Sequence, residues 1–208
     1  MSLSLDWQQK TGARIRAPPT ADRGMIFVAG DDNFVYALDR DTGNVEWEFE
    51  TNDMIRHSPA VTVDTVYVGS DDETLYALAR SDGSVRWTFS ADRRITCTPV
   101  IDDGTVFFGS TDGHMYALDA SDGSEEWVFE TKGRVRSAPT VAGNTVYISS
   151  GDHHVYAVQR PTGTPAPQSS GTSTRVFSPT QDYCPMCGQD LQQVASPDFC
   201  PGCGYDLE

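Results

Sequence analysis

The chain has 208 residues and carries 30 Asp and Glu against 15 Lys and Arg, a formal net charge of -15 at pH 7. Hydrophobic residues at 38% and aromatic residues at 10% suffice for a packed core and argue against global disorder. The acidic balance makes nucleic-acid binding unexpected, because phosphate recognition needs Lys and Arg to displace counterions. No apolar run approaches the roughly 20 residues of a membrane span.

In chain order, the opening Met1-Ser2-Leu3-Ser4-Leu5-Asp6-Trp7 has no basic region followed by an apolar one, so a cytoplasmic, reducing location is expected. From there the sequence repeats with a period of 40. Trp7, Trp47, Trp87 and Trp127 keep that step, as do Pro19, Pro59, Pro99 and Pro139. Tyr36, Tyr76, Tyr116 and Tyr156 are each followed by Ala, and Gly43, Gly83, Gly123 and Gly163 come seven residues later. A sustained period near 40 with aromatic marks signals a repeat architecture.

Each repeat reads as four short strands. In the second they are 58–61, 65–69, 74–78 and 84–89, separated by turns at Asp64, at 70–73 and at 81–83. Asp-Gly and Thr-Gly pairs supply the positive φ of tight hairpins. The third strand is apolar on consecutive residues, as in Val35-Tyr36-Ala37-Leu38, the pattern of a strand buried on both faces. Small sheets stacked face to face are therefore expected, an all-β propeller of four four-stranded blades per chain. The first strand read is a fourth strand, Leu5 to Gln9, and position 167, where a fifth Trp would fall, is Pro167. That offset lets the N-terminal strand complete the last blade.

The motif from Tyr36 to Trp47, repeated from Tyr116 to Trp127, resembles the repeat of pyrroloquinoline-quinone-type propellers, over residues 1 to 163. That family includes quinoprotein alcohol dehydrogenases and a bacterial outer-membrane assembly lipoprotein. The resemblance implies that Trp7, Trp47, Trp87 and Trp127 dock between neighbouring blades. It also implies rings of seven or eight blades, so two arrangements stand open. Either four blades close a ring, or two chains form an eight-bladed homodimer in which each N-terminal strand completes the partner's last blade.

A quinone cofactor is not expected. Family dehydrogenases imply an acidic base, a calcium held by carboxylate and amide, and often adjacent cysteines. Here Cys97 stands alone, and Asp32, Asp72, Asp112 and Asp152 recur in every repeat, which suits a turn better than catalysis. His57 and Cys97 share a repeat position with Ala17 and Ser137, and His114, His153 and His154 fall in turns. Asp39 and Asp41 lie two apart but lack the further acids of a calcium loop.

Seven of the 13 arginines collect just before or within the first strands. Arg14, Arg94 and Arg134 share one repeat position, and Arg16, Arg56 and Arg136 share the position two later, with Arg93 beside them. In the resembled family that strand lines the central channel. Two compensations are open: carboxylates such as Asp53 and Asp92, or stacking on the tryptophans, against a small anion or acidic peptide bound at the channel mouth.

Residues 164–181, rich in Pro, Ser, Thr and Gly, read as a flexible linker spanning about 25 Å on average. Beyond it, Cys184-Pro185-Met186-Cys187-Gly188 and Cys200-Pro201-Gly202-Cys203-Gly204 give two Cys-x-x-Cys pairs. Four thiolates at this spacing can occupy tetrahedral corners, so residues 182–208 look like a zinc ribbon with a closed, structural four-cysteine site. Rubredoxin-type iron needs a longer interval, and disulfides suit neither a reducing compartment nor an odd cysteine count. The Asp-rich, Lys-poor composition resembles that of proteins from salt-loving archaea, and stability is expected to rise from low to molar salt as repulsion is screened. Together these features point to a non-catalytic propeller scaffold binding a protein partner, with the ribbon as a second recognition element. The alternatives are a quinoprotein-like dehydrogenase and a small-anion sensor.

Overall fold

The computed structural model describes residues 3–161. All regular structure in this span is β. The first blade contains β1 (Thr20–Asp22), β2 (Met25–Ala29), β3 (Phe34–Asp39) and β4 (Val45–Glu50). The second contains β5 (Ala60–Val61), β6 (Thr65–Gly69), β7 (Thr74–Ala79) and β8 (Val85–Ser90). The third contains β9 (Val100–Asp102), β10 (Thr105–Gly109), β11 (His114–Asp119) and β12 (Glu125–Glu130). The fourth contains β13 (Thr140–Ala142), β14 (Thr145–Ser149) and β15 (Val155–Gln159). Each sheet is an antiparallel meander in chain order, with four strands in the first three blades and, among the described residues, three in the last.

The register repeats with the sequence. Ala37 faces Trp47, Ala77 faces Trp87 and Ala117 faces Trp127, and each pairing then slips by one residue. The slip is a β-bulge, which sharpens the twist of the outer strand.

The core lies between blades rather than within them. Phe27, Val35, Ala37 and Trp47 of the first blade pack with Val66, Val68, Tyr76 and Leu78 of the second. Tyr67, Leu75, Ala77 and Trp87 then turn the other face of the second blade onto Val106, Phe108, Tyr116 and Leu118 of the third. Because alternate residues of one strand serve different neighbours, Val35 to Leu38 are all buried. Each such Leu or Phe removed from water contributes about 1.5–3 kcal/mol.

Glycine makes the close approach possible. Gly83 adopts φ +73°, and a Cβ there would stand 2.6 Å from Trp47 Cε3. The same ring, bonded through its N–H to the Arg80 carbonyl at 2.8 Å, closes the junction between blades one and two. Trp7 meets Gly43 and donates to the Arg40 carbonyl at 2.9 Å, and Trp87 meets Gly123 and donates to that of Ala120 at 3.1 Å.

A second repeated device ties each connection to the blade it enters. Asp72 accepts the Tyr76 hydroxyl at 2.7 Å, the Thr74 N–H at 2.9 Å and the Asn52 N–H at 2.9 Å. Asp32, Asp112 and Asp152 repeat the arrangement with Tyr36, Tyr116 and Tyr156. Desolvation and the facing carboxylate push the Tyr76 phenol up to about 12.

One expectation needs correction, and one of the two open arrangements narrows. The expected N-terminal strand, Leu5 to Gln9, is not a strand, and it does not complete the fourth sheet. An extended segment becomes a strand only when a ladder partner is beside it, and Trp7 sits on the first blade instead. Among the described residues the four blades do not close a ring: Val155 on the outer face of the last sheet is 74% exposed.

Candidate functional site: an arginine-lined cavity

The connections into blades two, three and four converge on a cavity of about 490 Å³. Its walls carry Arg56, Arg93, Arg94, Arg134 and Arg136, against which stand only Asp71 and Glu73. Five guanidinium groups against two carboxylates leave an excess of three positive charges, in a chain of net charge -15. Like charges at close quarters raise the local potential and favour an anion within the cleft.

Local structure explains who is paired. Each second-to-third-strand turn folds back over the entry to its own blade, as the Asp31 N–H to Arg14 carbonyl bond at 2.9 Å and the Asp71 N–H to Met54 carbonyl bond at 2.9 Å show. This brings Asp31 to Arg16, whose Nε lies 2.8 Å from Asp31 Oδ1 and from Oδ2. The bond holds the Asp31 carboxyl below its ordinary range and raises the Arg16 guanidinium. Asp71 receives Arg56 Nε at 2.8 Å and Arg94 at 3.7 Å. The Arg56 contact is close but not aligned as a hydrogen bond, and Asp71 Oδ1 and Thr96 Oγ1 are buried without partners among the described residues.

The same turn position holds Thr111 in the third blade and Gly151 in the fourth. The acid that neutralises Arg16 and Arg56 is therefore missing where Arg136 stands. Among the described residues Arg14, Arg93, Arg134 and Arg136 form no salt bridge, which leaves the fourth-blade side of the cavity uncompensated. Glu73 holds φ +73°, a left-handed conformation usual for Gly and occupied by Gly113 one blade on. His57 also faces the cavity. Burial, opposed by Asp71 and assisted by Arg56, lowers its pKa from the ordinary imidazole value, which favours the neutral ring.

The arginine expectations are thus met in different ways. Arg56, Arg94, Arg134 and Arg136 share the cavity with Arg93, whereas Arg14 and Arg16 lie outside its lining. The suggested partners Asp53 and Asp92 do other work: Asp53 caps the Met54 N–H at 2.8 Å, and Asp92 donates its N–H to Asp112 at 3.3 Å. Nearness in sequence misled here, because the turn 15 residues downstream folds nearer in space. Nor do these arginines stack on the tryptophans. The cation–π contacts are Arg80 over Phe27 at 5.8 Å and Arg160 over Phe107 at 5.1 Å, where both also bond the preceding blade at Asp22 and Asp102. Sequence reading missed Thr96, Thr111 and Glu73, although the series Asp31, Asp71, Thr111, Gly151 was visible as a break in symmetry.

Other candidate groups are not brought together. Cys97 is buried, accepts the Gly109 N–H at 3.1 Å, and has its thiol pushed up to about 12 by desolvation. His114 faces Asp112 at 3.1 Å and His154 faces the Asp152 carbonyl at 2.9 Å, each within its own turn. Cys184, Cys187, Cys200 and Cys203 lie outside the described residues. The cavity's donor set does not fit a quinone held by calcium, since Asp71 is engaged by arginines and only Glu73 remains as an acid.

A family model described as outer membrane protein assembly factor BamB matches residues 4–94 and 90–176. Among solved structures, BamB from Moraxella catarrhalis superposes with a TM-score of 0.70 at 23% identity, over 77% of this chain and 54% of that one. The computationally designed Ika4 protein gives 0.70 at 16% identity, over 77% of this chain and all of that one. Quinohemoprotein alcohol dehydrogenase from Comamonas testosteroni gives 0.60 at 20% identity, over 66% of this chain and 29% of that one. This chain therefore spans about half the length of the BamB structure it matches. No curated protein sequence matches the chain.

Proposed function

The chain belongs to the family of outer membrane protein assembly factor BamB, and from that premise we propose that it is a non-catalytic propeller scaffold. Its cationic cavity takes an acidic segment of a protein partner. One observation carries this reading: the excess of three positive charges around Arg134 and Arg136 at a place where the repeat loses its own carboxylates. Arginine suits the role, because its planar fork can grip a carboxylate through two hydrogen bonds.

The test is calorimetric titration of the full chain with a Glu-rich peptide. Arg93→Gln, Arg134→Gln and Arg136→Gln together remove three positive charges without touching a salt bridge among the described residues. The triple variant should bind at least about 100-fold more weakly, with charge-assisted contacts at about 1.5–3 kcal/mol each, and melt as the parent does. Equal affinity in parent and variant would sink the reading. Inorganic phosphate serves as the comparison titrant; if it binds and the peptide does not, the cavity is a small-anion site instead.

The second recognition element in this proposal is the zinc ribbon. Cys184, Cys187, Cys200 and Cys203 would hold one zinc ion, which supplies the folding energy that so short a module lacks. Protein purified without chelator should contain about one zinc per chain by elemental analysis. A Cys184→Ser, Cys187→Ser variant should lose it, and near-zero zinc in the parent would refute the site.

A further inference from the structure

The fourth blade presents core-type residues to solvent. Tyr147 is 41% exposed, whereas Phe27, Tyr67 and Phe107 at the same repeat position are at most 2% exposed. Val155 is 74% exposed, whereas Val35, Leu75 and Met115 are at 0%. Ala157 is exposed, whereas Ala37, Ala77 and Ala117 are at 0%.

The other end of the array shows the matching half. Ile15 is 41% exposed, while its equivalents Ile55, Ile95 and Val135 are at most 1% exposed. Ile95 and Val135 each press onto a glycine of the preceding blade, Gly69 and Gly109, where a Cβ would clash. The socket for Ile15 would be the Ser149 position of a fourth blade. Trp7 already rests on the first blade as Trp47 rests on the second. Its neighbours Leu3 and Leu5 are 104% and 76% exposed.

We propose that a second copy of this chain covers the fourth blade, forming a twofold pair with eight blades. The interface is the one that occurs three times inside the chain, so no new complementarity has to be invented. Among the described residues both halves are open in one molecule, so four blades stacked this way do not bring them together. An isologous pair satisfies both open ends at once. Carrying the β3–β4 register forward places Trp7 of the second copy opposite Ala157, and Gln9 opposite Val155. The next connection around the array then belongs to the second copy, whose Arg14 and Arg16 extend the cationic cavity beyond Arg136. This inference stands whether or not the cavity binds an acidic peptide.

Light scattering of the full chain in molar salt should give twice the monomer mass. Val155→Asp changes a side chain that touches no core of its own blade, and burying its charge should weaken the pair by about 100-fold or more while the strand content is kept. Mixing a Gln9→Cys chain with a Val155→Cys chain should give a disulfide-linked heterodimer that neither chain gives alone. Monomer mass for the parent would overturn the proposal. So would a dimer indifferent to Val155→Asp, or a Gln9→Cys, Val155→Cys double variant that closes on itself as a monomer.

Discussion

The second and fourth blades follow the same repeat pattern, yet among the described residues one is packed on both faces and the other on one. Leu75 and Ala77 in β7 are at 0% exposure, while Val155 at the Leu75 position of β15 is at 74%. Strand formation therefore does not require a buried outer face, since β15 still pairs with β14 over five residues. What the neighbouring blade adds is the apolar burial, and this burial is where most of the stability of a stacked array resides.

The largest break of that contrast is expected at Gly83. A Gly83→Val change forces a β-branched residue to φ +73° and drives its Cβ against the Trp47 ring. Strain and overpacking together should cost at least about 4 kcal/mol. Gly24 has φ +81° but nothing within 4 Å, so Gly24→Ala isolates the backbone part, at about 1–2 kcal/mol. Denaturant midpoints of the two variants give the comparison directly.

Next comes the pair Ile95→Ala and Ile15→Ala. The first empties a site at 1% exposure and should cost about 2–5 kcal/mol. The second alters a residue at 41% exposure and should cost under about 1 kcal/mol in the isolated chain. If the Ile15 penalty grows with protein concentration, the open end is covered in solution and the contrast with Ile95 narrows.

A smaller effect is read by pH. Tyr76 is held protonated to about 12, above the ordinary 10 of an unfolded tyrosine. Its contribution is fully present below pH 10 and is lost as pH rises towards 12, because the unfolded phenol ionises first. Tyr76→Phe should flatten that alkaline decline in thermal melts. An unchanged decline would mean that the Asp72–Tyr76 bond carries no linkage.

Much of this was legible in the sequence because the repeat is written four times. The apolar quartet Val35 to Leu38 announced a strand buried on both faces, and the Thr-Gly and Asp-Gly pairs placed the hairpins. Pairing was less legible. Leu5 to Gln9 has the composition of a strand, but no sequence pattern says whether an edge will be beside it. The cavity was half visible. The arginines stood out by position, whereas their partners did not, because Asp31 and Asp71 reach Arg16 and Arg56 through a turn that folds back over 15 residues.

The uneven coverage of the two ends also fixes an order of unravelling. An array held together by neighbour contacts opens from its least covered end, and its amide protons exchange in that order. In the unpaired chain, among the described residues, the β15 edge has a ladder partner on one side only and its outer face has no covering sheet. Its amides should take up deuterium first. Those of β7 and β11, paired on both sides and covered on both faces, should be the last to exchange, so that the period of 40 in the sequence becomes a gradient in time along the chain.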